Sequence, residues 1–372
     1  MSNQLHLKGL NGIRAIAALS VLVYHAFTRM DWFGLDRFAI WGELEPTKPH
    51  SFRVGVFAVT VFFALSGFLI TYLLLKEYEL KKDINVGKFY MRRILRIWPL
   101  YFLLIPVSLG VYKLLDFQYP PSSIVYYLLL IANVALYLKV PIPLLGGYWS
   151  VCVEEQFYLV WPLFMKFSKN RYFRNTLILL AVLMALRVVF NVLQMRFPIL
   201  AAYNELMGQS RYHVLLMGAL AAMLYVDNNQ MFIKIFSNKY VVLAAWIFIF
   251  LPVIKGFRVL GQHEVMALST IVIIVSQIRN QNKLINLENK VFDFLGKISY
   301  GIYMFHPLVL FLLGKSGIWF AHPQPWNYAI VVVLVTAITI LVSTLSYYYF
   351  EGWFLNLKKK YTVIEDSGFR KQ

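Results

Sequence analysis

Apolar residues along this chain neither alternate nor recur as a narrow stripe; they run in blocks separated by short polar stretches. The blocks fall at about 10–29, 54–75, 95–112, 148–166, 175–193, 210–226, 240–254, 264–278, 299–314 and 327–350, with a further apolar stretch at 122–138. Crossing the hydrocarbon core of a bilayer takes roughly 20 helical residues, so the pattern predicts an all-α, polytopic membrane bundle of about ten transmembrane helices. The polar stretches are too short for a soluble catalytic domain, and no fixed-period repeat or Pro/Gly/Ser-rich linker divides the chain. The expected organisation is one membrane domain over 1–357, followed by a short basic tail over 358–372.

Composition supports this reading. Of 372 residues, 59% are hydrophobic and 15% charged, outside the usual range of soluble globular domains. The formal net charge is +18, but the basic residues are scattered among short loops rather than gathered in one basic patch, which argues against nucleic acid. They read instead as a topology signal, because cytoplasmic loops are enriched in Lys and Arg. Ten crossings with a cytoplasmic N-terminus put most of this charge inside, whereas an eleventh crossing at 122–138 reverses the balance. Both termini are therefore expected to be cytoplasmic, with 122–138 lying on, or dipping into, the outer face. The first block lacks a clear signal-peptide cleavage pattern and is expected to stay in the mature protein. A single cysteine, Cys152, excludes an intramolecular disulfide framework and a multi-cysteine metal site; no metal is expected.

Ionisable groups at membrane depth then become the candidates for chemistry. The first block, "LNGIRAIAALSVLVYHAF", carries Arg14 near its cytoplasmic end and His25 near its outer end. Eleven residues separate them, about 16 Å along a helix at ~1.5 Å per residue, and both fall on nearly the same face. Each has a plain alternative, Arg14 as a snorkelling anchor and His25 as a hydrogen-bonded packing residue. In "FYMRRILRIWPLY", Arg92, Arg93 and Arg96 open the third span. Positive-inside topology explains part of that charge, but Arg93 and Arg96 are three apart and share a helix side, and paired guanidiniums suit a phosphorylated ligand. "GGYWSVCVEEQFYLVWP" brings Glu154 and Glu155 into the outer part of a span. Adjacent helical residues diverge, so at most one points at a given site; Glu154, at a depth comparable with His25, reads either as the group that orients the imidazole, a role another acceptor could also fill, or as a structural hydrogen bond to Tyr, Trp or backbone. Arg187 and Arg211 read equally as acceptor-binding groups or anchors. His306, before Pro307, reads as a satisfied ring at a helix distortion, and Glu351 as an ion-pair partner.

Five segments, "LNGIRAIAALSVLVYH", "VTVFFALSGFLITYLL", "RRILRIWPLY", "YWSVCVEEQFYLVWP" and "FLGKISYGIYMFHP", occur in that order, and together they resemble the acyltransferase 3 family of integral membrane O-acyltransferases over essentially the whole chain. The resemblance implies transfer of an acyl group, typically acetyl, from cytoplasmic acyl-CoA (acetyl-CoA in the usual case) to a hydroxyl of a carbohydrate or other acceptor. It places catalytic roles on His25 and Glu154 and donor binding on Arg14, Arg93 and Arg96. The expected location is a bacterial cytoplasmic (inner) membrane, with the lipid bilayer, acyl-CoA and a carbohydrate as partners. Two positions depart from the family pattern: Asn11 stands where "LDGLR" carries an aspartate, and Gly352–Trp353 follow Glu351 where Glu-x-Pro is usual. Some relatives add an extracytoplasmic hydrolase-like domain, so the chain would act alone or with a separate extracytoplasmic partner. The competing class is a transporter or exporter of a glycan or lipid-linked intermediate, its Arg, Glu and His lining a permeation route.

Overall fold

The computed structural model describes residues 4–5, 7–35, 43–45, 48–49, 54–251, 261–320, 324–362 and 365–366, and within them each of the ten apolar blocks is largely helical; residues 252–254 of the seventh block lie outside the described residues. In chain order the helices are α1 (Leu10–Thr28), α2 (Val54–Lys81), α3 (Val86–Leu114), α4 (Ile124–Leu128), α5 (Ala132–Tyr137), α6 (Tyr148–Ser168), α7 (Tyr172–Leu193) and α8 (Pro198–Ser210). They continue with α9 (Tyr212–Val226), α10 (Gln230–Phe236), α11 (Lys239–Phe250), α12 (Gln262–Arg279), α13 (Lys290–Lys297), α14 (Ser299–Lys315), α15 (Pro325–Leu345) and α16 (Gly352–Lys358). Extended pairing among the described residues is limited to two short ladders, Gln4–Leu5 with Glu365–Asp366 and Glu43–Glu45 with Lys48–Pro49. Of the basic tail, residues 363–364 and 367–372 lie outside the described residues.

Among the described residues, five helical stretches are long and apolar enough to cross a membrane, or up to seven if each of two bent helix pairs is one span. The chain is an integral membrane protein. The stretch at 122–138 does not supply a span: α4 and α5 have five and six residues, and Leu130 between them has a left-handed backbone (φ 58°).

Contacts divide the chain into two compact units. One comprises Leu7–Phe62 and Ser237–Trp353 and is built around α1, which packs against α12, α13, α14 and α15. Lipid tails are as apolar as leucine, so helices associate in a bilayer by close van der Waals packing, for which small residues are needed. Ala15, Ala17, Ala18 and Ala26 of α1 are accordingly all buried. Gly296 serves the same end on α13, since a Cβ there would lie 2.3 Å from the Asn11 carbonyl oxygen. The core joins Ala18, Leu22 and Ala26 of α1 to Ile302 and Leu310 of α14 and to Val331 and Val335 of α15. Asn289 caps α13 by accepting from the Phe292 N–H at 2.9 Å, and the chain bends by 64° between α13 and α14.

The other unit comprises Met1–His6, Phe63–Phe236 and Phe354–Gln372. Its α3 begins at an Asn85 cap, which accepts from the Lys88 N–H at 2.9 Å. Polar bonds fasten α3 to α6 at two levels: the Tyr90 hydroxyl donates to the Leu159 carbonyl (2.6 Å) and Trp98 Nε1 to Glu155 Oε2 (2.7 Å). Trp161 Nε1 donates to Thr71 Oγ1 at 2.8 Å, tying α6 to α2. Against α9, Gly67 of α2 lies so close that a Cβ would overlap the Leu215 carbonyl. Buried tyrosines pin the short-helix segment: Tyr101 donates to the Tyr127 carbonyl (2.8 Å), and the Tyr127 hydroxyl accepts from the Ile142 N–H (2.8 Å). Burial pushes the Tyr127 phenol up to about 12, which keeps it neutral and bonded at ordinary pH.

Candidate active site

The first helix delivers Arg14 and His25 on one 19-residue element. Arg14 Nη1 donates to Asn11 Oδ1 at 3.0 Å, and the Asn11 amide donates to Asp293 Oδ1 at 2.7 Å. Lys297, one turn further along α13, pairs with Asp293 Oδ2 at 2.8 Å. The carboxylate missing at position 11 is thus provided from α13, relayed to Arg14 by the asparagine amide, whose two ends accept and donate.

At the other end of α1, His25 Nδ1 lies 2.9 Å from Nε2 of His306 on α14. The ring planes differ by only 8°, and the centroids are 5.0 Å apart. That separation exceeds the N···N distance by nearly two ring radii, so the imidazoles meet edge to edge, their planes nearly parallel, rather than ring over ring. Tyr24 lies beside His25, ring centroids 5.2 Å apart, and Thr28 Oγ1 donates to the His25 carbonyl at 2.9 Å. His306 is 1% exposed, and its Nδ1 is 3.2 Å from the Ile302 carbonyl oxygen. The sequence pattern pointed to a carboxylate as the group orienting His25; the ring partner in the structure is a second imidazole.

In the other unit, the three arginines of α3 have different fates. Arg92 Nη2 forms an ion pair with Glu77 Oε2 at 2.9 Å, the side chains 13% and 2% exposed, and its Nη1 donates to the Tyr361 carbonyl at 3.0 Å. Arg93 instead lies over the rings of Phe89 and Tyr158, each 5.5 Å from its guanidinium carbon, and its buried Nε has no hydrogen-bond partner. Among the described residues, no carboxylate comes within ion-pair distance of Arg93 or Arg96. Two carboxylates lie nearby without reaching that distance. Glu154 Oε2 accepts from the Tyr158 hydroxyl at 2.8 Å, and that hydroxyl is 3.1 Å from Ser66 Oγ. Glu155 Oε2 accepts from Trp98, while its buried Oε1 has no partner. The two adjacent glutamates bond to different neighbours, Glu154 to Tyr158 on its own helix and Glu155 to Trp98 on α3. What results is a pair of cations with no bonded counter-charge, flanked by aromatic faces, suited to a multiply charged anion such as phosphate.

Residues 7–348 match the acyltransferase domain of the acyltransferase 3 family. The chain belongs to that family. O-acetyltransferase OatA of Staphylococcus aureus (strain NCTC 8325 / PS 47) is 25% identical over 389 aligned residues, which cover 98% of this chain and 58% of the relative. The Bacillus subtilis (strain 168) protein named "Putative peptidoglycan O-acetyltransferase YrhL" is 25% identical over 377, covering 93% and 54%. A protein of Acidianus two-tailed virus, named "Putative acetyltransferase ORF330", is 28% identical over 319, covering 82% and 84%. The chain therefore spans little more than half the length of OatA and YrhL. No solved structure matches it.

Within this acyltransferase 3 chain, His306, before Pro307, is a ring in contact through both nitrogens, with His25 and with the Ile302 carbonyl. Ile302, His306 and Leu310 form an i, i+4 stripe, and the two apolar members of it are core residues. Arg211 is buried at the α8–α9 junction with a left-handed backbone (φ 49°), its guanidinium 5.7 Å from the Trp149 ring centre. Arg187 is half-buried on α7. Glu351 is buried and accepts from Ser346 Oγ at 2.9 Å across a single π-helical turn, Ser346–Glu351. Cys152 is buried, 3.2 Å from the Tyr101 hydroxyl. Among the described residues no group of three or more His, Cys, Asp or Glu side chains could hold a metal.

Proposed function

We propose that this chain is an O-acyltransferase of the cell surface, moving an acyl group, acetyl in the first instance, from cytoplasmic acyl-CoA to a carbohydrate hydroxyl. It would do so in a bacterial cytoplasmic membrane, crossing it ten times with both termini inside. Family membership and the names of the relatives OatA and YrhL support acetyl transfer to oxygen, and the word peptidoglycan in the second name suggests a cell-wall glycan as the first acceptor to try. The observation that carries the donor assignment is the contrast on α3, where Glu77 neutralises Arg92 while Arg93 and Arg96 have no bonded counter-charge among the described residues. Arg93 and Arg96 take the phosphates of the donor.

In this reading His25 is the base. Its ring takes the proton of the acceptor hydroxyl while that oxygen attacks the thioester carbonyl carbon, forming the ester C–O bond and breaking C–S. The departing thiolate then recovers the proton from the imidazolium, leaving free CoA thiol and a neutral His25. A variant route uses the same ring nitrogen as nucleophile, with an acyl-imidazole that the hydroxyl then cleaves. Glu154 remains a candidate through the Tyr158 hydroxyl it accepts from.

The test compares the acyl content of surface glycans, by mass spectrometry, in cells expressing the parent, His25→Ala or no protein. A mass increment found only with the parent identifies acyl group and acceptor together. The same increment at the same level with His25→Ala removes His25 from the chemistry, and an identical profile in all three, with the protein inserted, removes the glycan acceptor.

A further inference from the structure

The hydrogen bonds around His306 determine where the protons on both rings must be. The Ile302 carbonyl oxygen can only accept, so the 3.2 Å contact places a proton on His306 Nδ1. No carboxylate among the described residues bonds either ring, so a buried imidazolium at position 306 would be an unpaired charge, which is unfavourable. A neutral ring protonated on Nδ1 must accept at Nε2. The group 2.9 Å from that Nε2 is His25 Nδ1, the two rings nearly parallel and edge to edge; it is therefore the donor, and the remaining nitrogen of His25, Nε2, carries a bare lone pair.

We propose that His306 is the positioning residue of this site, locking His25 in the Nδ1–H tautomer so that its Nε2 faces the reaction unprotonated. The chain of bonds runs Ile302 carbonyl, His306, His25, and does for the base what a carboxylate does for the histidine of a Ser-His-Asp triad. It differs in leaving no fixed negative charge beside the ring. The assignment deepens the proposed acyl transfer and rests on it for function, since either route requires a bare nitrogen on His25. The tautomer itself can be measured with no acceptor present.

The protein is purified in lipid nanodiscs with ¹⁵N-labelled histidine, and the His25 signals are assigned by their loss in His25→Gln. The parent should show Nδ1 protonated and Nε2 bare; a protonated Nε2 would overturn the proposal without any variant of His306. Diethyl pyrocarbonate, which acylates bare imidazole nitrogens, then reports the nucleophilicity of His25 by peptide mass spectrometry. His306→Leu should slow that labelling several-fold, and His306→Gln, whose amide oxygen can stand where Nε2 does, should restore much of it. Labelling of His25 at the parental rate in His306→Leu would contradict the positioning role. In transfer assays His306→Leu should lower kcat by about 10²–10⁴-fold with KM for acetyl-CoA held, the range of general-base and wrong-tautomer effects. If His25→Ala still transfers while the spectra show the Nδ1–H tautomer, the acyl-transfer reading of His25 fails and the proton assignment stands.

Discussion

The polar groups of α1 and of α3, one helix from each unit, are treated in opposite ways. Around α1 the groups are closed into networks: Arg14 to Asn11 to Asp293 to Lys297 at one end of the helix, and His25 to His306 to the Ile302 carbonyl at the other. Along α3, Glu77 closes off Arg92, but Arg93 has an unbonded buried Nε and neither Arg93 nor Arg96 has an ion-pair partner among the described residues. A closed network fixes orientation and proton position, as a base requires. An open pair of cations retains affinity for an anion that comes and goes. Under the proposed function the difference is a division of labour, with chemistry on the histidines and donor binding on Arg93 and Arg96.

The sharpest way to break this comparison is at the histidine end. His25→Ala should reduce transfer by about 10²–10⁴-fold while leaving the affinity for acyl-CoA near that of the parent, measured by calorimetry with a non-transferable CoA thioether. Loss of donor binding in that variant would merge the two roles. At the arginine end, Arg93→Ala and Arg96→Ala should each weaken CoA binding by about 10- to 100-fold, the loss of a charge-assisted bond of ~1.5–3 kcal/mol. Transfer should be largely recovered at saturating donor.

Arg92 provides the control within the same helical turn. Arg92→Gln removes one partner of a buried ion pair and should destabilise the unit by about 3–5 kcal/mol, seen as a lowered thermal transition in detergent, with donor affinity of the folded fraction unchanged. Equal loss of CoA affinity in Arg92→Gln would erase the distinction between closed and open arginines. The smallest effect is expected at Asp83, whose carboxyl is held below its ordinary value by a hydrogen bond from Lys166. A depressed folded value means that its contribution is present at neutral pH and lost as pH falls through that value. The group is exposed and screened, so Asp83→Asn should leave both transfer and thermal stability at neutral pH within experimental scatter.

Helix after helix was legible in the chain because an apolar block of membrane-spanning length has few other ways to satisfy its backbone. Candidate residues were legible for the related reason that Arg14, His25, Arg93 and Glu154 stand out against apolar neighbours. Partner choice was not. Glu154 lay at a suitable depth to be paired with His25, yet its Oε2 accepts from Tyr158, four residues on along the same helix, whereas His25 meets a ring 281 positions away in sequence. Periodicity shows which face a residue occupies but not which helix covers that face. The fate of Arg92 was hidden likewise, since nothing in "MRRILR" distinguishes an arginine facing Glu77 from one that faces none.

The most direct measurement takes the parent, His25→Ala and the Arg93→Ala/Arg96→Ala double variant in nanodiscs and determines, for each, the dissociation constant for CoA and the single-turnover rate of acyl transfer at saturating donor. The account predicts that the histidine variant binds and does not transfer, and that the arginine variant binds weakly yet transfers once saturated. Parental CoA affinity in the arginine double variant, or parental transfer in the histidine variant, would contradict it.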